Sequence, residues 1–183
     1  MNVFLSGSTN PKIQKKYLKG YDKIADYFAE KNIETIIVAS IYGAIGNMYS
    51  LLTERGAKVR GLSPKVYASE NVDMKLTDYK IVENLFELQK EFLKFSDISL
   101  VIAGGNGTLA ELFMFTDLIK SKYTTNPVVI YNVSGLYSPI RDYLDSLLKK
   151  HTLEQFQRDY FIFCDTPEEV IEALEKHRKK IDK

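Results

Sequence analysis

Val101-Ile102-Ala103-Gly104-Gly105-Asn106-Gly107-Thr108-Leu109-Ala110-Glu111 is the stretch on which the reading of this chain turns. An apolar run enters three glycines within four positions, and a helical pattern begins at once. A strand that passes straight into a helix in this way belongs to a parallel sheet with crossover helices. Glycines in such a turn let the backbone approach a ligand closely and adopt positive φ, while the free N–H groups of the helix start form an anion site. The chemistry implied is phosphate binding by Gly104, Gly105, Asn106, Gly107 and Thr108, with the Thr108 hydroxyl serving as helix cap or as donor to a phosphate oxygen. Glu111 lies in the first turns of the helix, where the dipole favours a carboxylate. It also lies where it could orient a water or stabilise positive charge on a ligand. The residues alone leave both roles open.

On either side of this turn, short apolar runs alternate with longer helical patterns. Strands are expected at 2–6, 34–39, 57–61, 98–103, 127–132 and 160–164, and helices at 11–31, 44–55, 79–96, 108–121, 136–149 and 166–180. The strands are nearly continuous in apolar character, as expected where helices cover both faces of a mostly parallel sheet. In the third helix Ile81, Leu85, Leu88, Phe92 and Phe95 recur at spacings of three and four. The stretch from Ser63 to Asp78, with Asp73 and Lys75 around Met74, reads as a surface loop able to cover a site, or equally as a plain connection. The chain from 1 to 183 reads as a single domain without repeat or linker.

Two further strand ends carry small residues. Ser6, Gly7 and Ser8 stand where the first strand meets its helix, and Gly43 and Gly46 open the helix after the second. In an open parallel sheet, ligands bind outside the carboxyl ends of the strands, so these three turns converge on one crevice. No Gly-x-x-x-x-Gly-Lys-Ser/Thr occurs, and no Gly-x-Gly-x-x-Gly follows the first strand, which argues against a P-loop hydrolase and a dinucleotide enzyme.

Composition narrows the classes further. The chain has 183 residues, with 25 basic against 24 acidic side chains, giving a formal net charge of +1 and no electrostatic footprint for a nucleic acid polymer. Its one cysteine, Cys164, can form no internal disulfide and packs as a small hydrophobe. No Cys and His set has metal-ligand spacing, so neither a metal site nor a cofactor is expected. His151 and His177 read as solvated side chains in polar surroundings. The N-terminal apolar run is too short for a signal peptide or a membrane span, and the cytoplasm is the expected location.

With the Gly-Gly-Asn-Gly-Thr-Leu-Ala-Glu turn in view, the chain resembles the Lonely Guy family, nucleoside 5'-monophosphate phosphoribohydrolases often labelled "lysine decarboxylase". The family pattern Pro-Gly-Gly-x-Gly-Thr-x-x-Glu matches positions 103 to 111, with Ala103 in place of the proline. The likeness covers nearly the whole chain, including Phe4-Leu5-Ser6-Gly7-Ser8, Gly43-Ala44-Ile45-Gly46 and Asp165-Thr166-Pro167-Glu168-Glu169. The resemblance implies a Rossmann-like three-layer α/β sandwich, a homodimer with sites near its interface, and hydrolysis of an AMP-like nucleoside monophosphate at the bond between base and ribose. It also implies substrate binding by Ser6, Gly7, Ser8, Gly43 and Gly46 together with the 104–108 turn, and a catalytic role for Glu111.

Two departures stand out. Val38, Ala39 and Ser40 occupy the place of a family glycine triplet. The family's catalytic Arg-Lys pair falls on Leu88 and Gln89, or with a one-residue shift on Gln89 and Lys90, so Lys90 is the candidate cation. All five arginines, at 55, 60, 141, 158 and 178, lie off that helix. A non-catalytic nucleotide-binding or carrier protein on the same fold is therefore the competing expectation.

Overall fold

Along β1 (Asn2–Ser6), Val3 and Leu5 point into one hydrophobic cluster and Phe4 into another, so the strand is covered on both faces. The computed structural model describes residues 1–70 and 73–181. Six more strands join β1: β2 (Glu34–Val38), β3 (Val59–Pro64), β4 (Asp78–Val82), β5 (Ile98–Val101), β6 (Val128–Tyr131) and β7 (Phe161–Cys164). They form one sheet in the order β4-β3-β2-β1-β5-β6-β7, with every pairing parallel. The sheet is thus wholly parallel and has one strand more than the sequence pattern indicated.

Helices α1 (Tyr21–Glu30), α2 (Gly43–Glu54) and α7 (Pro167–Ile181) cover one face. Tyr21, Ile24, Phe28, Met48, Leu52, Val170 and Leu174 bury their side chains there against Val3 and Leu5. Helices α3 (Leu85–Phe95), α4 (Asn106–Lys120) and α5 (Ser138–Lys149) cover the other, where Phe92 stacks on Phe4 at a centroid separation of 4.0 Å. The short α6 (Gln155–Asp159), which the sequence reading did not anticipate, leads into β7; Glu154 and Gln157 close a capping box at its start.

The extra strand comes from the front of the expected third helix. Residues 79–82 pair with β3, and the helix begins only after Asn84, whose Oδ1 accepts from the backbone N–H groups of Phe86 and Glu87 at 2.9 and 3.0 Å. That cap overrides the apolar spacing. Leu88 and Phe92 are buried, but Ile81 and Leu85 are 50% and 56% exposed, so the stripe ends where the cap begins. The expected helix over 11–31 likewise splits into a 3₁₀ turn at Lys15–Leu18 and α1. In the 63–78 stretch, Ser63 and Pro64 extend β3 and Lys65–Glu70 forms a 3₁₀ turn, while 71 and 72 lie outside the described residues.

His177 also departs from expectation. It is part-buried, with Nε2 3.0 Å from the Asp97 carbonyl oxygen, and burial lowers its pKa. Cys164 is buried as expected, and burial pushes its thiol up to about 12. No helix among the described residues is long and apolar enough to cross a membrane.

Candidate functional site

The strand order reverses between β1 and β5, because β1 pairs with β2 on one side and with β5 on the other. Beyond their carboxyl ends lies a crevice of about 420 Å³, lined by residues 4–10, 105–108 and 111 together with Val38, Ile45, Pro64, Tyr67, Leu85 and Leu88. Its size falls within the range of small-molecule sites, roughly 300–1,000 Å³. Among these lining residues there is no lysine, arginine or histidine.

Two buried phenols fix the strand end that carries the glycine turn. The Tyr137 hydroxyl donates to the Ile102 carbonyl at 2.8 Å, and the Ala103 N–H donates to the Tyr21 hydroxyl at 3.1 Å. The Ser8 N–H then donates to the Ala103 carbonyl at 2.9 Å, which ties the first turn to the central one. Gly105 is the N-cap of α4 and the Leu109 N–H returns to its carbonyl at 2.9 Å, so the N–H groups of Asn106, Gly107 and Thr108 have no acceptor within the helix. These amides border the crevice.

None of the three glycines of the turn has left-handed backbone, and only Gly104 is closely packed, since a Cβ at Gly105 or Gly107 would meet open space. Gly105 has φ −114°, and the glycines with positive φ are Gly20, Gly43, Gly56 and Gly135. At Gly104 a Cβ would collide with the Thr108 hydroxyl, because that buried side chain folds back over it instead of capping the helix. Gly43, at φ 68°, packs so close to Ser8–Asn10 that a Cβ would strike the Ser8 carbonyl oxygen.

Glu111 closes the floor. Its carboxylate accepts from the Ser6 hydroxyl at Oε2 and from Gln89 Nε2 at Oε1, the second bond being 3.0 Å long. Burial raises its pKa above that of an ordinary glutamate, against the two hydrogen bonds, which lower it. A part-buried carboxylate with two neutral partners is poised to take up or hold a proton.

The structure thus brings together Ser6, Gly7, Ser8, Gly105, Asn106, Gly107, Thr108 and Glu111. Gly104 lines a smaller cavity of about 240 Å³, which shares Ser8 and Asn10 with the crevice and is also lined by Lys12. Gly43 and Gly46 are outside the lining and act through backbone packing, Gly46 against Ile41. Lys90 is not brought to the site. It is exposed on α3, because the buried Leu88 and Phe92 turn position 90 to the opposite side of the helix. Position 89 flanks that buried face, so Gln89 reaches Glu111 instead. The five arginines hold carboxylates elsewhere: Arg55 Asp26, Arg60 Glu34, Arg141 Asp165, Arg158 Asp145 and Arg178 Glu175. Tyr67, Leu85 and Asn10 were not anticipated as lining residues, since the first two reach the rim from a segment read as loop and from a helix end displaced by Asn84. Among the described residues no three His, Cys, Asp or Glu side chains cluster so as to hold a metal ion.

This is a doubly wound α/β protein with its crevice at the switch point of the sheet. The chain belongs to the family described as "Possible lysine decarboxylase", which matches residues 45–174, in agreement with the Lonely Guy resemblance. It is 24% identical over 178 residues to a "Probable cytokinin riboside 5'-monophosphate phosphoribohydrolase" of Oryza sativa subsp. japonica, covering 97% of this chain and 72% of the relative. A cytokinin riboside 5'-monophosphate phosphoribohydrolase of Arabidopsis thaliana is 22% identical over 176 residues, covering 96% and 81%. In fold the chain is similar to the molybdenum cofactor carrier protein of Chlamydomonas reinhardtii, with a TM-score of 0.70, 13% identity, and coverage of 97% of this chain and 98% of that one.

Proposed function

We propose that this protein hydrolyses the N-glycosidic bond of a nucleoside 5'-monophosphate to free base and ribose 5-phosphate. The observation that carries the reading is Glu111, held by Ser6 and Gln89 in the same crevice as the 105–108 turn. The names of the relatives support the same reaction class. The 5'-phosphate sits on the amides of residues 106 to 108, where a helix N-terminus binds an anion without any cationic side chain. Ribose C1' then lies over Glu111. As the C1'–N bond breaks, the carboxylate stabilises the oxocarbenium-like sugar and accepts a proton from the water that attacks C1'. The absence of a lysine or arginine from the lining favours one phosphate over a di- or triphosphate. Incubation with a panel of nucleoside monophosphates, with free base and ribose 5-phosphate measured, tests the reaction; release from none of them refutes it.

The same resemblance implies a homodimer. Val66, Tyr67, Leu85 and Phe86 are exposed apolar side chains, Tyr67 and Leu85 at the crevice and Phe86 87% exposed, which a second copy would cover, and sedimentation of a monomer alone would remove this part of the reading.

A non-catalytic carrier is the second reading. It is favoured by the neutral Gln89 where the family resemblance has a cationic pair, and its fold precedent is the carrier of Chlamydomonas reinhardtii. It expects monophosphates to raise Tm without turnover and Glu111→Gln to leave binding intact.

A further inference from the structure

We propose that Gln89 is a positioning residue that holds Glu111 in both of its protonation states, its carboxamide donating to the carboxylate and, after a half-turn, accepting from the carboxylic acid. Gln89 Nε2 lies 3.0 Å from Glu111 Oε1. The other end of the same carboxamide, Gln89 Oε1, is buried and has no hydrogen-bond partner among the described residues. A buried acceptor without a partner costs about 1–3 kcal/mol, so an alternative state that satisfies it is within reach. A proton on Glu111 supplies that state, because a half-turn about the last side-chain bond brings Gln89 Oε1 to the new O–H.

The second partner of Glu111 has the same property. The Ser6 hydroxyl donates to a carboxylate and can equally accept from a carboxylic acid. Either contact of Glu111 can therefore exchange donor for acceptor without moving the backbone, the single proton serving one of them while the other partner goes on donating. An arginine could not, since a guanidinium only donates and would fix Glu111 as an anion.

Among the described residues no charge acts on Glu111 beside its burial and its two hydrogen bonds. Ser6 faces Glu111 from β1 and Gln89 from α3, while Tyr137, at the start of α5, is the titratable group coupled to it. The Tyr137 hydroxyl is engaged with the Ile102 carbonyl, and burial together with the Glu111 charge raises its pKa. Tyr67 lines the crevice from the 3₁₀ turn, and the remaining lining residues bring no lysine, arginine or histidine. Burial of Glu111 favours its neutral form in the same sense.

In hydrolysis this inference rests on the reaction proposed above: water gives hydroxide to C1' and its other proton to Glu111, the base leaves with the C1'–N electron pair and takes up a proton from solvent as free base, and the amide turns as the carboxyl is protonated and turns back when Glu111 returns its proton to solvent. The device itself needs no substrate. Nuclear magnetic resonance of the free protein, following the Glu111 carboxyl carbon and the Gln89 side-chain amide through pH, reads it directly. The two signals should titrate with one midpoint above the ordinary glutamate range. Gln89→Arg should lower that midpoint by about 1–3 pH units through the added charge, and Gln89→Met should raise it. A Gln89 amide that does not follow the Glu111 titration in the unmodified protein, or a midpoint the same in all three proteins, would overturn the proposal. The turnover assay is separate: with base release present, the acid limb of kcat/KM follows the same midpoint and moves with Gln89→Arg. A coupled titration without turnover would remove the hydrolase reading and leave the Gln89 device standing.

Discussion

Two hollows among the described residues are built on opposite principles. The larger, about 780 Å³, runs along β7 and α7 and is lined by Asp159, Glu169, Glu172, Lys176, His177 and Lys180 among apolar side chains. The smaller, at the ends of β1 and β5, has one carboxylate and no cation in its described lining. Size and charge would favour the first. Its lysines and carboxylates, however, are exposed, and exposed charges contribute at most about 1 kcal/mol per pair. In the switch-point crevice one carboxylate is withdrawn from water beside helix amides that have no acceptor within their helix. Desolvation and preorganisation, rather than the number of charges, set the two apart.

If that contrast holds, substitutions in the crevice and the groove should differ sharply. The largest effect is expected for Glu111→Gln, which should reduce base release by about 10²- to 10⁴-fold while phosphate binding persists. The same substitution should stabilise the protein. Burial raises the folded pKa of Glu111 above its unfolded value, so the group favours folding below the ordinary glutamate range and loses that contribution as pH rises through the folded value. Thermal unfolding of Glu111→Gln should therefore show a higher Tm than the unmodified protein at pH 7, with the gain vanishing in acid.

Gly104→Ala should come next. Its Cβ would drive the Thr108 side chain out of place, costing about 1–3 kcal/mol of stability and weakening monophosphate binding, both readable by thermal shift with and without AMP. Tyr137→Phe removes the hydroxyl that anchors the Ile102 carbonyl, a loss of about 1 kcal/mol measured by denaturant unfolding. At the far end, Lys176→Ala and Lys180→Ala in the groove should leave turnover unchanged and stability within about 0.5 kcal/mol. A groove substitution that abolished base release would invert the comparison.

Much of this contrast was legible in the residues, and the part that was not has a physical cause. The 101–111 stretch announced a parallel α/β sheet with a ligand crevice, and six of its seven strands follow from short apolar runs. The seventh was hidden because Ile81 continued the three-and-four spacing of α3, while the interruption was a single polar cap at Asn84. Within the crevice, the 6–8 and 105–108 turns were readable as neighbours because each follows a strand end, whereas Gly43 and Gly46 lie outside the lining and the residues that arrive from other elements were not readable. Counting along the chain offers Lys90 as the cation, yet the register of α3 turns it to solvent and presents Gln89, a fact set by which face Leu88 and Phe92 bury. His177, surrounded in sequence by Lys and Arg, is drawn in by the Asp97 carbonyl, a partner 80 residues away.

In the proposed reaction the crevice at β1 and β5 breaks a base from a nucleoside monophosphate through Glu111. The most direct measurement incubates the intact protein and its Glu111→Gln variant with AMP and other monophosphates, reading free base and ribose 5-phosphate beside the thermal shift each ligand causes. Both proteins should be stabilised by the substrate, and only the unmodified one should release base at an appreciable rate. Stabilisation of both proteins with release by neither, or equal release by both, would contradict it.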